Sequence, residues 1–220
     1  MQSTPASANL SRLVAIVPLA ALEGAKTRLG GSLDAEERQV LVLDLLDRTV
    51  RAAGDVAAIE SVVVVSPDPA VLRAASAAGA TPVRQAGQGL NDGLDLARRW
   101  AVADGASALV ILPGDLAAIS PATLAALIGT TATHVEAGSP LVALVADRHG
   151  RGTNVLLVSP PDAIPFAFGP DSRTAHLAAA QAAGATIVEL DSALSLDLDL
   201  PEDLVLAESL GLFGPARRVG

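Results

Sequence analysis

The sequence predicts an α/β protein, a three-layer α/β/α sandwich built around a mostly parallel, mixed sheet. Two observations predict this. Short apolar runs rich in β-branched residues recur along the chain, and segments with helical spacing separate them. A third sets the scale: 220 residues are enough for one domain with a substantial core.

Residues 13–19 (LVAIVPL) form the first run, and 61–65, 108–112, 141–145, 155–158 and 186–190 continue in the same style. Such runs between turn signals predict strands buried on both faces. The longest helical pattern is 34–53. Leu41, Leu45 and Leu46 share one side of it, while Glu37, Arg38, Asp44 and Arg48 lie elsewhere. Ser32 or Asp34 is its expected cap. Further helices are expected over 69–78, 91–104, 121–128, 171–183 and 201–210. Pro69, Pro121 and Pro201 open three of them, which suits a first helical turn. Residues 141–158 break the rhythm. Two strands flank the turn Asp147-Arg148-His149-Gly150-Arg151-Gly152, so an antiparallel hairpin is expected there. Residues 1–12 and 213–220 are expected to be frayed tails around a single domain over 13–212.

Composition narrows the function classes. Hydrophobic residues make up 50% of the chain but aromatics only 2%, so Ala, Val, Leu and Ile must build the core. With no cysteine, disulfides, thiolate nucleophiles and Cys-ligated zinc are excluded. The polar N-terminal residues hold no apolar run of the signal-peptide kind. No stretch approaches the length of a membrane span, so the mean hydropathy of +0.45 reflects a buried sheet. A soluble, cytoplasmic protein with no membrane partner is expected. The formal net charge of −9 argues against a nucleic-acid partner bound through a basic surface. A local basic pocket for a small anion is compatible with it. Lys26 is the only lysine.

In an open parallel sheet, ligands bind beyond the C-terminal ends of the strands. Four segments meet that rule. The first follows the first strand and reads AALEGAKTRLGG, residues 20–31. Its backbone N–H groups, Lys26 and Arg28 suit the oxygens of a triphosphate, although an exposed connection with surface cations fits it too. It is neither a Walker A loop nor GxGxxG. The second is ALVILPGDL, residues 108–116, where an apolar strand delivers Asp115 at its tip. Asp115 suits Mg²⁺; a turn aspartate is the other reading. Ser120 before Pro121 is the better helix cap, which favours the metal role.

The third segment is RGTN, residues 151–154, with FAFGPDS at 166–172. A helix N-terminus there, the Ser172 hydroxyl and Thr153 could meet a phosphate or carboxylate. Capping by Ser172 or Asp171 explains the same residues. The fourth is SLDLDLPEDL, residues 195–204. Read as a strand, it puts Asp197 and Asp199 on one face and Leu196, Leu198 and Leu200 on the other. Two like charges on one face call for compensation, and a divalent cation bound to phosphate is a candidate. A solvated edge strand also fits. Asp115, Asp197 and Asp199 together follow strand-end logic. Asn91 and Asp92, after QGL, either touch the base or ribose of a nucleotide or cap a helix. His134, His149 and His176 have no metal spacing, and His176 reads as structural or as support for a site. No GxSxG elbow is present.

LVAIVPL, GAKTRL, QGLNDGL, VILPGDL, RGTNVLL, FAFGPDSRTAH and LDLDLPEDL follow one another across residues 13–204. In this order they resemble the guanylyltransferases of deazaflavin coenzyme (F-420) biosynthesis. FGPDS and DLDLPEDL are the most specific parts. The resemblance implies a nucleotide-diphospho-sugar transferase type of fold. It implies GTP plus phosphoenolpyruvate or 2-phospho-L-lactate giving a guanylylated product and pyrophosphate. By motif, it implies Mg²⁺ on Asp115, Asp197 and Asp199, and triphosphate on Lys26 and Arg28. It implies the three-carbon acid on Thr153, Gly169 and Ser172. Asn91 remains a candidate nucleotide contact, and Lys26, Arg28 and Asp115 are the candidate catalytic residues. Ala20 departs from relatives that carry a lysine just after the first strand, and Leu116-Ala117-Ala118 departs from relatives with proline after the aspartate. Handover of product to the downstream transferase is an implied partnership, and monomer and homodimer are both open. Two other functions fit the same residues. One is another nucleotidyltransferase of this fold, acting on a sugar phosphate or the molybdenum cofactor. The other is a non-catalytic nucleotide-binding scaffold.

Overall fold

The computed structural model describes residues 9–87, 89–136 and 138–212. Residues 1–8 and 213–220, most of the two expected tails, lie outside them. Asn9 and Arg12 are tied to the body: the Asn9 N–H donates to Ser159 Oγ at 2.7 Å, and Arg12 pairs with Glu60 at 2.8 Å.

The expected strands form as β1 (Leu13–Pro18), β2 (Ile59–Ser66), β4 (Ala108–Ile111), β5 (Leu141–Ala146), β6 (Thr153–Ser159) and β7 (Thr186–Glu189). A seventh, β3 (Thr81–Arg84), was not anticipated. Its sequence TPVR holds a proline and buries only Val83, which is how a short edge strand looks. The helices are α1 (Ala35–Gly54), α2 (Pro69–Ala77), α3 (Leu90–Ala103), α4 (Pro121–Ala132), α5 (Ser172–Ala182) and α6 (Pro201–Ser209). Among the described residues, no helix is long and apolar enough to cross a membrane.

The strands make one sheet in the order β3-β2-β1-β4-β6-β5-β7. All neighbours are parallel except across β6, which is antiparallel to both β4 and β5. The expected hairpin is therefore β5–β6, and it makes the sheet mixed. One consequence matters for the site. Because β6 runs backwards, its start, not its end, lies at the edge where β1 and β4 finish.

Alternation along the central strands divides the core in two. In β1, Leu13, Ala15 and Val17 pack with α1, α2 and α4, while Val14 and Ile16 pack with α3 and α5. Both faces are covered, which gives the three layers and explains why the strands read as unbroken apolar runs. Helix starts follow local chemistry. Asp34 caps α1 by accepting the Glu37 N–H, and Glu37 reaches back to the Asp34 N–H. Ser120 and Thr123 do the same for α4.

The stretch 195–200 differs from the strand expected of it. It adds no strand to the sheet and pairs with residues 115–117 through a single antiparallel bridge, Leu116 to Asp197. The Ala117 N–H donates to Leu196 O at 3.0 Å and the Leu198 N–H to Asp115 O at 3.1 Å. Alternation survives locally: Leu196 and Leu198 are buried with Leu45, Ala117 and Ala207, while Asp197 and Asp199 face the other way. Asp197 and Asp199 thus reach the strand-end edge on a loop anchored to residues 115–117, which follow β4.

Candidate active site

The chain leaves β4 through Pro113 and Gly114. A side chain at Gly114 would press on Leu19 Cδ1 at 3.3 Å, so glycine lets the loop lie close to the end of β1. The next residue is Asp115. One carboxylate oxygen from each of Asp115, Asp197 and Asp199 comes within 4.8 Å of the others. Three hard oxygen donors at this spacing fit Mg²⁺ better than a soft or nitrogen-seeking metal.

Two side chains that sequence reasoning missed hold this cluster in place. Asn154, next to Thr153 at the start of β6, donates to Leu194 O and Ser195 O at 3.1 and 2.9 Å and to Asp197 Oδ1 at 3.3 Å. It clamps the loop just before Asp197. Asp203, buried in the first turn of α6, accepts the Asp199 and Leu200 N–H groups at 3.0 and 2.6 Å. Its other oxygen pairs with Arg148 at 2.8 Å, joining α6 to the β5–β6 turn. The Pro-Glu-Asp of the motif therefore has a physical meaning: its aspartate caps the helix and aims Asp199. Asp203→Ala should cost about 3 kcal/mol of stability, the size of effect expected when one partner of a buried ion pair is removed. Chemical denaturation measures it, and a loss below about 1 kcal/mol would contradict this role.

Lys26 enters from the loop after β1. Its backbone is left-handed (φ 50, ψ 39), where it precedes the short 3₁₀ turn Thr27–Leu29. That conformation costs a non-glycine residue about 1 kcal/mol. In return the ammonium lies 2.5 Å from Asp115 Oδ2 and 2.6 Å from Asp199 Oδ1. Burial pulls the Lys26 ammonium down, but Asp115 and Asp199 outweigh it and hold its pKa above the usual lysine value. The lysine is thus a fixed charge. Asp197 has no such partner. Burial pushes its carboxyl up, the charge on Asp115 adds to this, and the Asn154 amide offsets part of it. Arg28 is exposed, with a guanidinium nitrogen 3.6 Å from Asp199.

Lys26, Arg28, Asp115 and Asp199 line a cleft of about 500 Å³, together with residues 18–21, 24 and 25, Thr27, Val42, Leu90, Pro113, Gly114 and Phe168. A second cavity of about 520 Å³ adjoins it along the same loop and runs to Val65, Pro67, Gln85 and Gly89. Asn91, the candidate nucleotide contact, sits in the first turn of α3 and does not cap it with its side chain. Its amide is held at both ends by the Phe168 backbone, accepting its N–H at 2.9 Å and donating to its carbonyl at 3.0 Å. It fixes the FGPDS loop beside the cleft.

Thr153, Gly169 and Ser172 do come together. The Thr153 N–H donates to Ser172 Oγ at 2.9 Å, and both side chains are buried. Gly169 has φ +136, a conformation that side chains rarely adopt. Neither expected cap forms: Asp171 pairs with Arg151 at 2.8 Å, and Ser172 turns to β6 instead of to its own helix. Gly169 also lines a small depression with Asp147, His149, Arg151 and Gly152.

Behind this wall lies His176, fully buried, with Nδ1 3.0 Å from Thr153 Oγ1. Burial lowers its pKa to about 4. The unfolded imidazole takes up a proton near its ordinary value of 6.5 while the folded one does not. Stability from this group is therefore fully present above pH 6.5 and is lost as pH falls toward 4. We expect His176→Asn to flatten this acid-side loss by about 3 kcal/mol in denaturant melts at pH 4.5–7. An unchanged slope would contradict a neutral buried histidine.

Comparison with known proteins agrees with the fold and the motifs. The family model described as "Guanylyl transferase CofC like" matches residues 13–210. A phosphoenolpyruvate guanylyltransferase of Rubrobacter xylanophilus is 44% identical over 90% of this chain and 94% of its own. That of Sphaerobacter thermophilus is 42% identical over 87% and 90%. Among solved structures, a protein from Desulfovibrio desulfuricans G20 assigned as a nucleotide-diphospho-sugar transferase superposes with a TM-score of 0.72 at 16% identity, covering 94% of this chain and 91% of that one. At that identity the likeness establishes the fold, which is the one the motifs implied.

Proposed function

The chain belongs to the family of CofC-like guanylyl transferases and is a nucleotidyltransferase, and from that premise we propose that it joins GMP from GTP to the phosphate of phosphoenolpyruvate, releasing pyrophosphate. The observation that carries the reading is the meeting of Asp115, Asp197, Asp199 and Lys26 beside a cleft that Phe168, at the start of the loop leading to Ser172, also lines. The step it serves is a guanylylation in deazaflavin coenzyme F-420 biosynthesis. 2-Phospho-L-lactate is the alternative acceptor, differing at one carbon.

In this mechanism an anionic oxygen of the acceptor phosphate attacks the α-phosphorus of GTP. The new bond is oxygen to α-phosphorus. The bond that breaks joins the α-phosphorus to the bridging oxygen, whose electron pair leaves with pyrophosphate. No proton must be removed, because the nucleophile is already an anion, and no covalent enzyme intermediate is needed. The residues' task is positioning and charge neutralisation. Lys26 and Arg28 supply positive charge toward the triphosphate. Asp115, Asp197 and Asp199 would hold Mg²⁺, which when bound supplies further neutralisation of the phosphate oxygens. Thr153, Gly169 and Ser172 would hold the three-carbon acid. Asn91 shapes the boundary between acceptor and nucleotide by fixing Phe168. The product then passes to the next transferase of the pathway.

The bond assignment is tested with GTP labelled at the α- or γ-phosphate. Label from the α-position should appear in an acceptor-bound product and label from the γ-position in pyrophosphate. Label from the γ-position in inorganic phosphate or in the acceptor would overturn the reading.

A further inference from the structure

The wall behind the FGPDS loop contains one imidazole and two hydroxyls whose protons can be assigned from geometry. The Ala167 N–H donates to His176 Nε2 at 3.0 Å. A backbone amide only donates, so Nε2 carries a lone pair. A neutral imidazole has one ring proton, which must then sit on Nδ1. Nδ1–H therefore donates to Thr153 Oγ1, 3.0 Å away. The ring is held in plane by the edge-on contact of Phe168, whose centroid lies 4.9 Å from it.

Two O–H groups are left over. Thr153 Oγ1 accepts from His176, and Ser172 Oγ accepts from the Thr153 N–H. Neither hydroxyl donates to any acceptor among the described residues. Thr153 is 6% and Ser172 2% exposed, so the unused donors lie in a nearly closed wall. Buried donors without an acceptor are costly unless a ligand supplies one.

We propose that His176 is a positioning residue for the acceptor: it fixes the Thr153 hydroxyl as a donor, so that Thr153 and Ser172 offer two O–H groups to an anionic oxygen of the three-carbon phosphoacid. The inference rests on the acceptor site assigned above. With the opposite tautomer, Thr153 would have to donate to the imidazole and would present a lone pair to an anion. A histidine that merely filled space would impose no such choice.

The first test uses the wild-type protein. In ¹⁵N-histidine NMR spectra, His176 should be the Nδ1–H tautomer, and an Nε2–H signal would overturn the inference. The second test compares His176→Asn, whose amide can keep a donor near the Nδ1 position, with His176→Gln, whose amide falls near Nε2. His176→Gln should raise KM for phosphoenolpyruvate by about tenfold, and His176→Asn by no more than about threefold, with KM for GTP unchanged. Equal increases in the two variants would make His176 a packing residue and overturn the inference. Thr153→Val separates the layers. If it leaves KM for the acceptor unchanged, the acceptor site itself is misplaced and the inference falls with it. If it raises that KM while His176→Gln does not, the inference alone is wrong. Should neither histidine variant fold, the tautomer decides.

Discussion

Asp115→Asn should lower turnover by about 10³-fold while leaving the fold intact. The expectation follows from what the carboxylate does and does not hold. Its carboxylate meets the Lys26 ammonium and lies near the carboxylates of Asp197 and Asp199. The bond that organises the loop, from the Leu198 N–H, goes to the backbone carbonyl of residue 115 and survives the change. Asparagine keeps the shape and removes the charge. Lys26 would retain Asp199, and Asp197 would lose one repulsive neighbour. Stability should therefore move by less than about 1 kcal/mol while the cluster loses one of its three negative charges. Steady-state kinetics at saturating GTP and a thermal melt measure both. Turnover within tenfold of wild type would remove Asp115 from the site.

Lys26→Met should show a less ordinary pattern: turnover down by about 10²-fold, yet metal bound more tightly in the absence of nucleotide. The ammonium occupies oxygens of Asp115 and Asp199, two of the three groups a cation needs. A cation held by these carboxylates would therefore compete with the lysine for them. Without Lys26, only the exposed Arg28 among the described residues, 3.6 Å from Asp199, offsets the three carboxylates, and the metal-free protein should lose about 2 kcal/mol, discounted for the partial exposure of Asp199. Added Mg²⁺ should then raise Tm more in the variant than in the wild type, because binding to the folded state adds stability. Equal Tm shifts in the two proteins would show that Lys26 and the metal do not compete for these oxygens.

The core strands and all six helices were legible because burial on two faces writes long apolar runs and burial on one face writes a helical stripe. β3 escaped for the converse reason. At the sheet edge it buries one residue of four, and Pro82 sits inside it. Asp115 was legible as the residue delivered by the end of a strand. Asp197 and Asp199 were grouped correctly with it on a partly mistaken premise, since residues 195–200 are a loop that keeps the alternation of a strand without joining the sheet. What alternation cannot report is which distant groups meet. Lys26 reaches partners 89 and 173 positions away. Asn154 lies in RGTN and Asp203 in DLDLPEDL, but neither motif says what these side chains touch. Each has its role only once the β5–β6 turn and α6 are brought together. Asn91 shows the opposite limit. Its place at a helix start suggests a cap or a ligand contact, and only the fold shows that its amide bonds Phe168 at both ends.

The most direct measurement is Mg²⁺-dependent pyrophosphate release from GTP by the wild-type protein, with phosphoenolpyruvate, 2-phospho-L-lactate and 3-phosphoglycerate offered in parallel and the downstream transferase present to consume a labile product. Release is expected with phosphoenolpyruvate, abolished by chelation and by Asp115→Asn. GTP binding without release in the presence of any of the three would contradict it and point to a different acceptor or to a nucleotide-binding protein without this chemistry.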